Sequence, residues 1–441
     1  MLHRYASCFV AISSLFYASA VHSAELEYPP KLPDGKAKVA VKSEKLLTPP
    51  EKFDKSIAIA KTAPKVEFLY YPGQTYRGNP WSHWGDGAFA KGKFYSAVGD
   101  HLAPRGNAFV YEFDPGTSEF RLLTNTTDLL QLPSDHYTPG KVHTHVDLGR
   151  DGLAYFATHR GSTKVTTDEN HFKGEWILSA DPASGKSTII SQPIAKHCIP
   201  NGRLDPERLI FYGGTAPGVG DANAGIIFFA YDLAKKKLLY SGPNGPSREI
   251  VISSSTGRVY YTPGTSDTPL MRFDPATGKP PEELGLEIGI RAATKETPQG
   301  KVYTISQGRK GSAEVFSFDC KTEKVEKLGL AAVGQQQYVA AVEADPTGRF
   351  LYYTAGAHGG SEVDGSPIVQ FDTKTHTRKV IAFLHPALQD SAGCASRGSY
   401  GIGIDDTGSR LFVMWNVGRA PAKAWDTVGL AVVDIPESER K

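Results

Sequence analysis

Seven times along the chain an apolar strand runs into an aspartate. The segments are Tyr111-Glu112-Phe113-Asp114, Leu178-Ser179-Ala180-Asp181, Phe229-Ala230-Tyr231-Asp232, Met271-Arg272-Phe273-Asp274, Phe316-Ser317-Phe318-Asp319, Ile368-Val369-Gln370-Phe371-Asp372 and Ala431-Val432-Val433-Asp434. Six of the seven continue into a short polar turn, such as Pro182-Ala183-Ser184-Gly185 or Pro275-Ala276-Thr277-Gly278, and then into another apolar strand. Between them lies a second series of turns, among them Ser255-Thr256-Gly257 and Asp345-Pro346-Thr347-Gly348. These lead into aromatic-rich strands such as Arg258-Val259-Tyr260-Tyr261 and Phe350-Leu351-Tyr352-Tyr353. Gly, Asn and Asp supply the backbone angles that tight hairpins need. Two hairpin turns per period of roughly 40 to 65 residues predict a four-stranded antiparallel blade. Seven periods predict an all-β, seven-bladed β-propeller.

The pattern also predicts how the ring closes. Lys65-Val66-Glu67-Phe68-Leu69-Tyr70-Tyr71 reads as a strand ahead of the first complete blade, and the last blade, beginning near Tyr400, shows three strands ending at Asp434. The early strand is expected to supply the missing outer strand, which leaves no unpaired sheet edge. Residues 1–24 read as a secretory signal, with Arg4 before the apolar run Phe9-Val10-Ala11-Ile12 to Leu15-Phe16 and small residues at Ala18-Ser19-Ala20. Residues 25–63 are Lys- and Pro-rich, lack strand alternation and read as an extended or mobile leader. Residues 64–441 are expected to form the propeller. The expected location is secreted or periplasmic.

Composition narrows the field. A length of 441 residues would accommodate two or three domains, but blades cannot bury their faces alone, so the repeat argues for one ring. The formal net charge is +2 at pH 7, and +1 once Arg4 is lost with the signal. Such a balance argues against nucleic acid as a partner. No run approaches the length of a membrane span. Cys198, Cys320 and Cys394 remain after the signal, so at most one disulfide can form. A monomer is expected.

Alternating strand direction places the loops between blades and the loops between second and third strands on one face. Long irregular loops gather there, such as those around residues 160–174 and 213–225. That face collects an unusual set: His83, Trp84 and His101 in blade 1; His143, His145, His159 and Arg160 in blade 2; His197 and Cys198 in blade 3; Arg248, Arg291, Tyr338 and Tyr400 in the rest. Of the histidines beyond the signal, only His376 falls clearly on the other face.

Two kinds of chemistry fit these residues. His143 and His145 are two apart on a strand, so both should point the same way. With His159 they would make a nitrogen site for a divalent metal (Zn, Mn or Ca). Alternatively, His143 or His159 acts as a base and Tyr400 or Tyr338 as an acid, while Arg248 and Arg291 hold a carboxylate. His83, Trp84, His101, Arg160, His197, Arg291 and Tyr338 are then substrate-binding residues. The structural alternative is that polar channel residues simply pair with one another and with water. No Gly-x-Ser-x-Gly, phosphate loop or dinucleotide fingerprint is present.

With Lys141-Val142-His143-Thr144-His145 and Tyr155-Phe156-Ala157-Thr158-His159-Arg160-Gly161 in view, the chain resembles the propeller polysaccharide lyases, above all the ulvan lyases and more distantly the oligogalacturonate lyases. His143 and His159 match the two-histidine pattern of those enzymes. Blade 3 carries His197 and Gly213-Gly214 at the places of their Tyr and Arg. The resemblance implies β-elimination on an anionic, uronic-acid-containing polysaccharide or oligosaccharide. Two other expectations stand beside it: a non-catalytic carbohydrate- or protein-binding propeller, and a metal-dependent hydrolase of the lactonase type.

Overall fold

A computed structural model describes residues 26–441 except positions 79, 102–104, 220–224, 247, 265–266, 308–311 and 420–424. The expected secretory signal, residues 1–24, lies outside the described residues. Seven small, mainly antiparallel sheets form the ring, each ordered A-B-C-D from the channel outward. Strands A of neighbouring blades touch from blade 5 round through blades 6, 7, 1 and 2 to blade 3, which includes the closure of blade 7 on blade 1. Blade 3 shows the unit at full length: A is His197–Asp205, B is Ile210–Pro217, C is Phe228–Asp232 and D is Lys237–Gly242. Side chains alternating along these strands fill the space between blades with Val, Leu, Phe and Tyr.

The recurrent aspartate has a definite job. Asp114, Asp181, Asp274, Asp319 and Asp372 each accept through Oδ1 the backbone N–H two residues on, at 2.8–3.0 Å. Asp232 does the same three residues on, at 2.8 Å. Each therefore closes a C–D turn that would otherwise leave donors unpaired. Asp434 has no such turn to close, because the chain does not return. It accepts instead from Arg410 Nε at 2.7 Å.

The fourth strand of blade 7 comes from the other end of the chain, as expected. Strand β3 (Lys65–Tyr70) pairs antiparallel with strand C of that blade (Thr427–Asp434), from Lys65 opposite Asp434 to Tyr70 opposite Gly429. The segment before it is extended, one of the two expected readings, and it also carries two short strands that its lack of alternation did not show. Strand β1 (Val39–Val41) adds a fifth strand outside β3, and β2 (Ala58–Ile59) pairs parallel with strand D of blade 6 (Thr377–Phe383). Leu32, Leu46, Ile57 and Ala60 are buried in the process. Glu439 ties the C-terminus to the same place, accepting from the Lys61 and Thr62 N–H groups at 2.8 and 3.1 Å and pairing with Lys379 at 2.8 Å.

Candidate functional site

The geometry of the loop face is set by an interruption in blade 2. Its strand A runs over Lys141–Val142, breaks at residues 143–146, and resumes at Asp147–Leu148. In the gap the backbone bonds to neighbouring blades: His145 N–H donates to Gly202 O (3.2 Å) and Val146 N–H to Asp86 O (3.3 Å). Alternation is lost there, and the two histidines part. The His143 ring stands edge-on to His159 at 5.3 Å and nearly parallel to Trp84 at 6.1 Å. His145 instead bonds through Nε2 to Glu249 Oε2 at 3.0 Å. The ring nitrogens of His143, His145 and His159 do not all come within 4.8 Å of one another, so the expected three-histidine metal set is not assembled.

Trp84 is the hub of the mouth. Around its ring lie the Lys141 ammonium at 4.3 Å, His101 at 4.7 Å, Tyr400 at 4.8 Å and Trp425 at 5.9 Å. Lys141 belongs here because it sits directly opposite His159 on the paired strands A and B of blade 2. Across the mouth, the Tyr400 hydroxyl and His358 Nδ1 are 2.5 Å apart, and Tyr338 stacks on His358 at 4.5 Å. Arg291 donates from Nε to the Tyr338 hydroxyl (2.5 Å) and from Nη1 to Ala340 O (3.1 Å). A guanidinium has five N–H donors, so others remain for a ligand. Trp84, His143, Arg248, Arg291 and Tyr400 line one cleft together with Asp86, His145 and Glu249.

Burial and cations together set the protonation of this face. Burial first, then the charges of Lys141, Arg248 and Arg291, hold His143 well below the usual imidazole range. Burial and Lys141 do the same to His159. Burial, followed by Arg160, lowers Lys141 itself to about 7. Burial keeps the Tyr400 proton on, well above the usual phenol range. At neutral pH the mouth therefore offers uncharged imidazoles and a protonated phenol beside fixed guanidinium charges.

The other residues that the sequence singles out are placed less favourably for contact with a ligand. His83 is fully buried behind Tyr400, with ring centroids 6.1 Å apart. Arg160 donates to Pro217 O at 3.0 Å and to Cys198 Sγ at 3.6 Å. His197 is buried with Nδ1 2.8 Å from Ala195 O. Cys198, Cys320 and Cys394 are buried free thiols. The structure adds Glu175, which forms a buried group with His159 and Cys198 whose ligand atoms lie within 4.8 Å of one another. Those donors suit a metal in type. However, Glu175 already accepts from the Tyr137 and Thr158 hydroxyls, and the nearest charges are Arg160 and Lys141. The group reads as a hydrogen-bonded support behind His159.

Sequence reasoning passed over Lys141, Glu175 and Tyr137 as site residues. Lys141 had a signal: it stands two residues before His143, facing His159 across the hairpin. Glu175 and Tyr137 come from separate loops and had none.

No family model matches this chain, and no curated protein does. Among solved structures it is similar to a chain of the "Crystal Structure of Mitotic Checkpoint Complex", at 10% identity and a TM-score of 0.49, over 84% of this chain and 94% of that one. A likeness this slight carries no argument about function. Among the described residues, no helix is long and apolar enough to cross a membrane.

Proposed function

We propose that the mouth binds an anionic polysaccharide through a uronate carboxylate and cleaves it by β-elimination. The observation that carries this reading is the shared cleft: a neutral His143 and a protonated Tyr400 stand together with Arg248 and Arg291. A proton beside a carboxylate is too weakly acidic to leave while the carboxylate keeps its full charge. Guanidinium groups in a partly dry cleft offset that charge as it grows in the transition state. His143 then takes the proton from the carbon next to the carboxylate. The electron pair left behind forms the new C=C bond, and the C–O bond to the neighbouring sugar breaks. Tyr400 gives its proton to the departing oxygen and recovers one through His358, its partner at 2.5 Å. Trp84 and Trp425 supply flat apolar surface for the sugar rings.

The test is a panel of uronic-acid polymers incubated with the purified protein, followed by absorbance of the unsaturated uronate. His143→Ala and Tyr400→Phe should each lower turnover by about 10² to 10⁴, the usual worth of a general acid or base. If the protein releases no unsaturated product yet is retained on a uronate affinity gel, the lyase reading fails and a binding propeller takes its place.

A further inference from the structure

On the outer part of the same face, away from the cleft residues, Asp135, His136 and His171 bring one ligand atom each to within 4.8 Å of one another. We infer that they form a site for a divalent transition ion, Zn²⁺ above all. His136 comes from the connection between blades 1 and 2, and His171 from the loop between strands B and C of blade 2. Their rings lie nearly parallel with centroids 4.2 Å apart. His171 Nε2 stands 3.8 Å from Asp135 Oδ2, and neither ring makes a hydrogen bond among the described residues. Two imidazoles and a carboxylate are the donor types that Zn²⁺, Cu²⁺ and Ni²⁺ prefer over Ca²⁺ or Mg²⁺. Three protein ligands leave a fourth position for water.

The frame of the site is built before any ion arrives. The Tyr137 N–H donates to Asn170 O at 2.6 Å, one residue from each histidine, which fixes the two loops side by side. The buried rings of Tyr137 and Phe172 meet edge to face at 4.8 Å directly beneath. His171 is held in the left-handed region at φ +54°, closed by its N–H to Asp168 O at 3.0 Å. Loops already fixed side by side lose less freedom on binding than free ones, and the two stacked rings need only turn about their side-chain bonds to aim at one ion. An ion here would clamp the loops that carry Tyr137 and Glu175, the support behind His159. This inference stands whether the mouth is a lyase site or a binding site.

Tag-free protein, stripped with a chelator and titrated calorimetrically with Zn²⁺, should take up one ion per chain and gain thermal midpoint, because the ion binds only the folded state. His136→Ala and His171→Ala should each abolish uptake, and Cys198→Ala should retain it. Without metal, the His136→Ala and His171→Ala variants should unfold at the native midpoint, since His136 is only half-buried and His171 is exposed. With Co²⁺ as the probe, ligand-field bands should appear without thiolate-to-metal charge transfer. No uptake by the native chain overturns the inference, as does undiminished uptake by the His136→Ala/His171→Ala double variant. A thiolate band, with uptake lost in Cys198→Ala, would also overturn it and assign the ion to the buried group beside His159.

Discussion

Phe68→Ala should unlatch the ring. Phe68 sits mid-strand in β3, fully buried, opposite Ala431 of strand C in blade 7. Its ring edge lies over Gly429, where an added Cβ would come within 2.3 Å of Phe68 Cζ. The glycine is the hollow into which the ring fits. Emptying that hollow costs about 3 to 5 kcal/mol, the usual range for a buried Phe reduced to Ala. A domain holds only about 5 to 15 kcal/mol in total, so the change should be plain in a urea titration as a lowered midpoint. Gly429→Ala fills the hollow from the other side and should cost about 1 to 3 kcal/mol by overpacking. In the double variant the new methyl occupies space the ring has left, so the two costs should fall short of their sum by about 0.5 to 3 kcal/mol. A loss under about 1 kcal/mol for Phe68→Ala, a value ordinary for a surface change, would refute the latch. So would strict additivity with Gly429→Ala.

Three further outcomes are expected. Leu46→Ala should cost about 2 to 5 kcal/mol, because Leu46 is fully buried between the N-terminal segment and the ring; a mobile leader would register no change in the same urea titration. Burial lowers His83 and His101 to about 3, so the unfolded chain takes up protons that the folded one refuses as pH falls below about 6.5. The stability these two contribute should be full above that pH and decline below it by up to about 1.4 kcal/mol per unit for each histidine, read as the pH slope of the urea midpoint between pH 7.5 and 5 that is lost in a His83→Gln/His101→Gln variant; the same slope in both proteins would contradict it. Lys141 is charged below about 7 and neutral above, so affinity for a uronate oligomer should fall as pH rises through 7 and become pH-independent in Lys141→Arg. Calorimetry showing the same pH slope in both proteins would remove Lys141 from the site.

How far the fold was legible depended on where each residue's partners lie. The strand–Asp–turn repeat was readable because the Asp serves its own turn, two or three residues away. The residue four past each turn-closing Asp is left-handed in all six cases, with φ from +51° to +72°. Yet only Gly185 and Gly278 are glycines; Ser118, Lys236, Glu323 and His376 hold the same conformation, so a search for glycine alone finds a third of the turns. Ring closure was readable by counting strands. The wrap of residues 26–63 was not, because β1 and β2 pair over only three and two residues, too few for alternation to show. The parting of His143 and His145 was also invisible. Its cause is the hydrogen bonding of residues 145 and 146 to blades 1 and 3, together with the close approach of Gly85, where a Cβ would lie 2.3 Å from Thr144 O. A period-two reading of one strand cannot contain partners from two other blades.

Charge along the channel bounds how deep an anion can go. The mouth holds Lys141, Arg248 and Arg291 beside imidazoles kept neutral. Beneath it the sign reverses. Burial works against ionising Glu249, but His145 and Arg203 hold it down to about 2, so it stays charged. Arg203 also reaches Asp147 at 3.7 Å, and His145 Nδ1 lies 4.0 Å from Asp86 Oδ2. Burial pushes Asp86 up to about 7, with Glu343 adding to it against the pull of His145. The acids of this layer thus consume the charges of Arg203 and His145, leaving none to welcome a carboxylate. Asp86 and Glu249 line the same cleft as Arg248 and Arg291, and each lies further along its chain segment than the mouth residue before it, Trp84 and Arg248. A carboxylate drawn in by the two guanidinium groups would meet the charge of Glu249 and stop at the level of His143 and Tyr400. On the proposed reading, the reversal of sign would hold an anionic ligand beside His143 and Tyr400, the residues assigned to move its protons.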